Sequence, residues 1–133
     1  MIIIDNLGIY QPVYERDQES FIKVNNDIRD RDIWLRSIKY ICTKEQWYED
    51  YYNTEETYRV YFQVNTGRGD GKQFIEDWTL VLQITIDTYY KTDEEIAKEI
   101  LAGLRNNYPI IDEDEIYGAF LYRRFYMPTD III

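Results

Sequence analysis

From Trp78 to Ile86 every even position is apolar (Trp78, Leu80, Leu82, Ile84, Ile86), and Thr79, Val81, Gln83 and Thr85 stand between them. A period of two puts alternate side chains on opposite faces, so this stretch predicts a strand with one buried face. After Thr92 the period changes. Ile96, Ile100, Leu101 and Leu104 recur at helical spacing, with Ala97 flanking the stripe. Thr92 stands at the N-cap, and Glu95 completes a capping box. Asp93, Glu94 and Glu95 set negative charge against the positive end of the helix dipole. Asn106, Asn107 and Pro109 stop a helix predicted over about 92–105.

Tyr58 to Val64 alternates as well, with Val60, Phe62 and Val64 on one face. Asn65 to Lys72 then places Gly67, Gly69 and Gly71 at every second position, the strongest turn signal in the chain. Together these segments predict a β-hairpin over about 58–90. Its second arm, from Phe74 to Tyr90, exceeds an ordinary strand of about five or six residues. Either a bulge near Glu76 breaks it, or part of the hairpin projects past the domain. Asp32 onward looks helical through Trp34, Ile38, Ile41 or Cys42, Glu45 and Tyr48, ending before Asn53, with the charged run Asp27 to Asp32 at its start. Residues 1–20 suggest a short strand and irregular chain, and Phe21 to Val24 a further strand. An acidic loop, Asp112 to Glu115, leads to a last strand from Ile116 to Met127, and the closing Ile131, Ile132 and Ile133 are expected to pack. The fold class is therefore α+β: one domain over 1–133, mainly antiparallel sheet with a long hairpin, packed against two helices.

The length of 133 residues fits one domain with one modest core, and no apolar run reaches the ~20 residues of a membrane span. The N-terminus lacks the form of a signal peptide, so a soluble intracellular protein is expected. Cys42 is the only cysteine, which rules out an intrachain disulfide and predicts a buried apolar residue. The chain has no histidine. That removes Ser-His-Asp and Cys-His sites, histidine acid–base chemistry and histidine metal ligands, leaving carboxylates, Lys, Arg and Tyr to any enzyme. A net charge of -10 is wrong for a general DNA-binding footprint. It keeps a surface soluble, or it lines a passage or imitates nucleic acid. Fourteen tyrosines are either half-buried strand filler or faces of an assembly, where an apolar body with a polar tip is favoured.

No motif fixes a reaction. Asp112-Glu-Asp-Glu115 has oxygen ligands but neither the spacing nor the glycine of a calcium loop, and reads as a solvated loop. Gly67-Arg-Gly-Asp-Gly71 resembles a phosphate cradle but lies between strands, without the helix or the Gly-Lys-Ser/Thr ending such a cradle needs. What it leaves is an exposed tip, Gly67, Arg68, Gly69, Asp70, Gly71 and Lys72, suited to contact with a neighbouring subunit. Tyr58, Tyr61, Tyr89, Tyr90, Tyr122 and Tyr126 are the candidate interface aromatics. Arg123 and Arg124 suggest surface ion pairs. No catalytic residue, metal ligand or cofactor site is expected.

The order helix, strand, Gly-rich hairpin, long alternating strand, capped helix, final strand resembles the small tail-terminator and head–tail joining proteins of long-tailed bacteriophages. The residues that carry the resemblance run from Thr79 through Asp87, Tyr89, Tyr90, Thr92 and Glu95 to Leu104, where a strand passes by a short polar turn into an acidic helix. It covers about Tyr58 to Met127, and residues 1–20 depart from a family that often opens with a helix. The resemblance implies a virion protein assembled in the host cytoplasm. It would form a ring, usually of six copies, that joins or terminates the tail tube beside head-connector proteins. DNA would pass only as unbound cargo repelled by acidic charge, no membrane would be involved, and no catalytic residues carry over. Two other readings stand beside it. One is an acidic inhibitory protein of the anti-defence, DNA-mimic kind, weakened by interspersed acids and bases such as Asp27-Ile-Arg-Asp-Arg-Asp32. The other is an enzyme working through carboxylates or tyrosine.

Overall fold

The computed structural model describes residues 2–15, 18–24, 32–47, 49, 50, 52–64 and 78–123. Five strands and two helices follow one another: β1 (Ile2–Glu15), β2 (Gln18–Val24), β3 (Ile33–Trp47), β4 (Tyr52–Val64), β5 (Thr79–Asp87), α1 (Asp93–Asn107) and α2 (Glu113–Leu121). The strands form one sheet in the order β2-β1-β5-β4-β3, every neighbouring pair antiparallel. This is the α+β class with a β4–β5 hairpin that the alternation predicts. The Gly-rich turn and Phe74 to Asp77 lie outside the described residues, as do Asp27 to Arg31, Tyr126 and the three terminal isoleucines.

The sheet buries the face the sequence marks. Leu80, Leu82, Ile84 and Ile86 of β5 join Tyr58, Val60, Phe62 and Val64 of β4 in one core with Ile96, Ala97, Ile100 and Leu104 of α1 and Ile116, Ala119 and Phe120 of α2. Both α1 cap interactions form: the Glu95 backbone N–H donates to Thr92 Oγ1 at 3.1 Å, and the Thr92 N–H donates to Glu95 Oε1 at 3.3 Å. Thr92→Ala is expected to cost about 1 kcal/mol. In a thermal melt followed by circular dichroism, that should appear as a fall of roughly 4 °C in Tm.

Four expectations are corrected. The helix expected from Asp32 is not there, because β3 occupies Ile33–Trp47. Register shifts between Leu35 and Ser37 and between Tyr40 and Cys42 explain the misreading. Each extra residue turns a step of two into a step of three, which counterfeits helical spacing. The second shift also sets Cys42 opposite Thr57, where it is exposed rather than buried. Ile116 does not begin a last strand, because α2 starts at Glu113 and buries Ile116, Ala119 and Phe120 at i, i+3 and i+4; 124–127 of that expected strand lie outside the described residues. Its acidic first turn, Glu113, Asp114 and Glu115, is what the predicted loop supplies, placed to suit the helix dipole. Finally, the N-terminal segment is not mostly irregular. It is the β1–β2 hairpin, with a bulge between Asn6 and Gly8. Gly8 has φ +117, a backbone conformation that L side chains rarely adopt, so the bulge favours glycine.

Candidate functional site

Among the described residues, two hairpins run past the ends of β5. β3 and β4 pair all the way to Trp47↔Tyr52, but β5 accompanies β4 only as far as Glu55↔Asp87. One further bond, from the Thr88 N–H to the Thr54 carbonyl at 2.9 Å, anchors the edge of the overhang. The paired part beyond that bond, 46–47 and 52–53, projects roughly 7 Å at ~3.3 Å per residue. On the opposite edge, β1 pairs with β5 from Ile2 to Tyr10, while its pairing with β2 continues to Glu15↔Gln18. Tyr10 faces Thr79 at the start of β5, and Glu55 faces Asp87 at its end. The two overhangs therefore point in opposite directions from opposite edges.

Aromatic rings back the β3–β4 overhang. Trp47 and Tyr52 lie 4.3 Å apart between centroids, Tyr52 meets Tyr89 edge-on at 5.2 Å, and Tyr89 meets Tyr90 at 4.2 Å. Trp47 is 78% and Tyr90 89% exposed. Tyr90 also has φ 61, a left-handed conformation unfavourable for a bulky side chain. The Tyr89 N–H donates to Asp87 Oδ1 at 3.0 Å, which pins the turn. Loss of hydration and then the Glu45 carboxylate push the Tyr52 hydroxyl pKa up. The hydrogen bond that the Tyr89 hydroxyl donates to Tyr90 does the same to Tyr89. The tip also carries the exposed acids Glu45, Glu49 and Asp50.

The sequence-predicted site residues are scattered. Gly67, Arg68, Gly69, Asp70, Gly71, Lys72 and Tyr126 lie outside the described residues. Tyr89 and Tyr90 join Tyr52 and Trp47, two rings that pattern reading assigned to a helix end. Tyr122, 70% exposed, sits beyond α2. Tyr58 and Tyr61 are core residues, 1% and 3% exposed, and are taken up within the chain's own packing. Tyr61 packs with Tyr10 and Val81 on the sheet face away from the helices. Tyr58 meets Phe120 edge-on at 5.5 Å and donates its hydroxyl hydrogen to Glu56 Oε2. Arg123 Nη1 donates to that hydroxyl at 3.0 Å and pairs with Glu56 at 3.2 Å, and its Nη2 reaches Asp93 at 3.4 Å. Burial, then Glu56, hold the Tyr58 hydroxyl well above its ordinary pKa, against the opposing pull of Arg123.

The face away from the helices carries cations. Lys39 and Arg59 stand directly opposite in the β3–β4 register, and Gln83 faces Arg59 on β5. Arg59 Nε contacts Gln83 Oε1 at 3.5 Å, and Arg36 Nη1 donates to Thr79 Oγ1 at 3.0 Å. Two open grooves flank the helices. One, of about 690 Å³, is lined by Leu35 and the acids Asp112 to Glu115. The other, of about 310 Å³, lies between Ile2, Ile4, Gly103, Asn107 and Tyr108. Neither groove gathers a nucleophile with a base to activate it. Comparison with protein-family models, curated proteins and solved structures finds no match.

Proposed function

We propose that this chain is a non-enzymatic structural subunit of a phage tail or neck, one that assembles head to tail into a closed ring joining or terminating the tail tube. The observation that carries the reading is the pair of hairpin overhangs at opposite edges and ends of one sheet, the better described of them tipped with exposed aromatic rings. Closed rings need two unlike surfaces on each subunit, and an element projecting from each side supplies them. Exposed Trp and Tyr at such a tip suit the desolvated centre of an interface. The ring order of six and the tail and connector partners come from the sequence resemblance.

The inhibitory, DNA-mimic reading has less support. A mimic must present its acids free, yet Glu94 pairs with Lys98 at 2.9 Å, Glu99 with Lys91 at 2.8 Å, Glu113 with Arg105 at 2.7 Å, and Glu56 with Arg123. The test is light scattering of the purified chain across concentration, with negative-stain microscopy. The expected result is a discrete closed oligomer that binds purified tail tubes, and Trp47→Ser with Tyr90→Ser should weaken it at least tenfold. A chain that stays monomeric at several hundred micromolar and ignores tail tubes would sink the proposal.

A further inference from the structure

Resting on that ring reading, we infer that the acidic tip of the β3–β4 hairpin in one copy docks on the cationic sheet face around Arg36 and Arg59 of the next.

The chain holds 25 acids against 15 bases, so a guanidinium without a carboxylate is unexpected. Among the described residues, Arg105 and Arg123 are ion-paired, whereas Arg36 and Arg59 contact only the neutral Thr79 hydroxyl and Gln83 amide. Arg36 and Arg59 therefore leave positive charge on this face that an anionic partner would relieve. Arg36 is near by in the register, since its neighbour Ser37 pairs with Tyr61, two residues along β4 from Arg59.

The matching surface is on the same chain. Glu45, Glu49 and Asp50 are exposed at the hairpin tip, with Trp47 beside them. The tip cannot fold back onto its own Arg59. Tyr52 and Arg59 belong to the same strand, β4, which holds them roughly 23 Å apart at ~3.3 Å per residue. Complementary patches that cannot meet within one subunit meet between subunits, and the contact is heterologous, the kind that closes rings. Acidic protein fits this face better than nucleic acid does. The net charge of -10 is wrong for a general footprint on a long polyanion.

The experiment uses three full-length variants: a face reversal (Arg36→Glu, Arg59→Glu), a tip reversal (Glu45→Lys, Glu49→Lys, Asp50→Lys), and the five changes combined. Circular dichroism melts confirm folding, and Arg59→Gln serves as a milder face variant. Sedimentation velocity should show each reversal alone raising the assembly midpoint at least tenfold. An equimolar mixture of the two, and the combined variant, should regain the oligomer. Wild-type assembly should also weaken between 50 and 500 mM NaCl, as screened charges require. If the wild type forms rings and the reversals form them equally well, this contact is refuted while the ring reading stands. If the wild type never assembles, both fall. If a labelled oligo(dT) binds the wild type and not the face reversal, nucleic acid is the occupant and the inference is overturned.

Discussion

Phe62→Ala should lose about 3–5 kcal/mol of folding stability, whereas Gln63→Ala, its neighbour on β4, should change it by no more than ~0.5 kcal/mol. Phe62 is fully buried and pairs with Leu35 on one side and Leu80 on the other, in the core shared by both helices. Truncating it removes a large apolar surface from the sheet centre and leaves a cavity that rigid β4 and β5 backbones cannot close. Gln63 points to the opposite face and is only half-buried. A domain of this size has roughly 5–15 kcal/mol in all, so the loss would be a large fraction of the total. Urea titrations read it as a fall in midpoint at unchanged slope. If the two variants lose stability equally, the helices do not cover the face assigned to them.

That contrast between neighbours also explains which parts of the fold the sequence makes legible. β5 and α1 follow rules that act over a few residues: unbroken alternation from Trp78 to Ile86, then Thr92 and Glu95 capping a stripe of Ile96, Ile100 and Leu104. β3 obeys the same alternation only between its two bulges, and a bulge is specified by the strand it pairs with, not by its own residues. Aromatic and β-branched residues around Ile116, Tyr117 and Phe120 favour strand by propensity, and packing against the sheet overrides them in α2. The central place of β5, between β1 and β4, depends on long-range pairing that no local pattern encodes. The surface was legible to the same extent. Tyr89 and Tyr90, which the sequence reading carried as the end of the strand arm, stand in the turn just after β5, which ends at Asp87. Trp47 and Tyr52 sit across a hairpin end that the false helix hid, and Arg36 and Arg59 become neighbours only once β3 is laid beside β4.

Tyr58 gives the second large effect, a loss of stability in alkali. Its hydroxyl pKa is raised in the folded protein, first by burial and then by the Glu56 carboxylate that accepts its hydrogen bond. In the unfolded chain the same group ionises near pH ~10. Folding therefore favours the protonated phenol. Its contribution is complete below about pH 10 and is lost progressively as pH climbs from there toward the raised folded value. Tyr58→Phe has no proton to release, so its stability should fall less steeply from pH 9.5 to 11.5. At pH 7.5 it should be weaker by about 1–2 kcal/mol, because a hydrogen bond to a charged group is gone. Arg123→Ala should also weaken the protein at pH 7.5, since that guanidinium ties the end of α2 to Glu56 and Asp93. It should nonetheless keep the steep alkaline loss, because Arg123 lowers the Tyr58 pKa and its removal leaves the phenol harder to ionise. Urea midpoints at pH 7.5, 9.5, 10.5 and 11.5 separate the three proteins. Equal alkaline losses in the wild type and Tyr58→Phe would mean that other tyrosines carry the effect and that the Tyr58–Glu56–Arg123 cluster is no more than a surface tie.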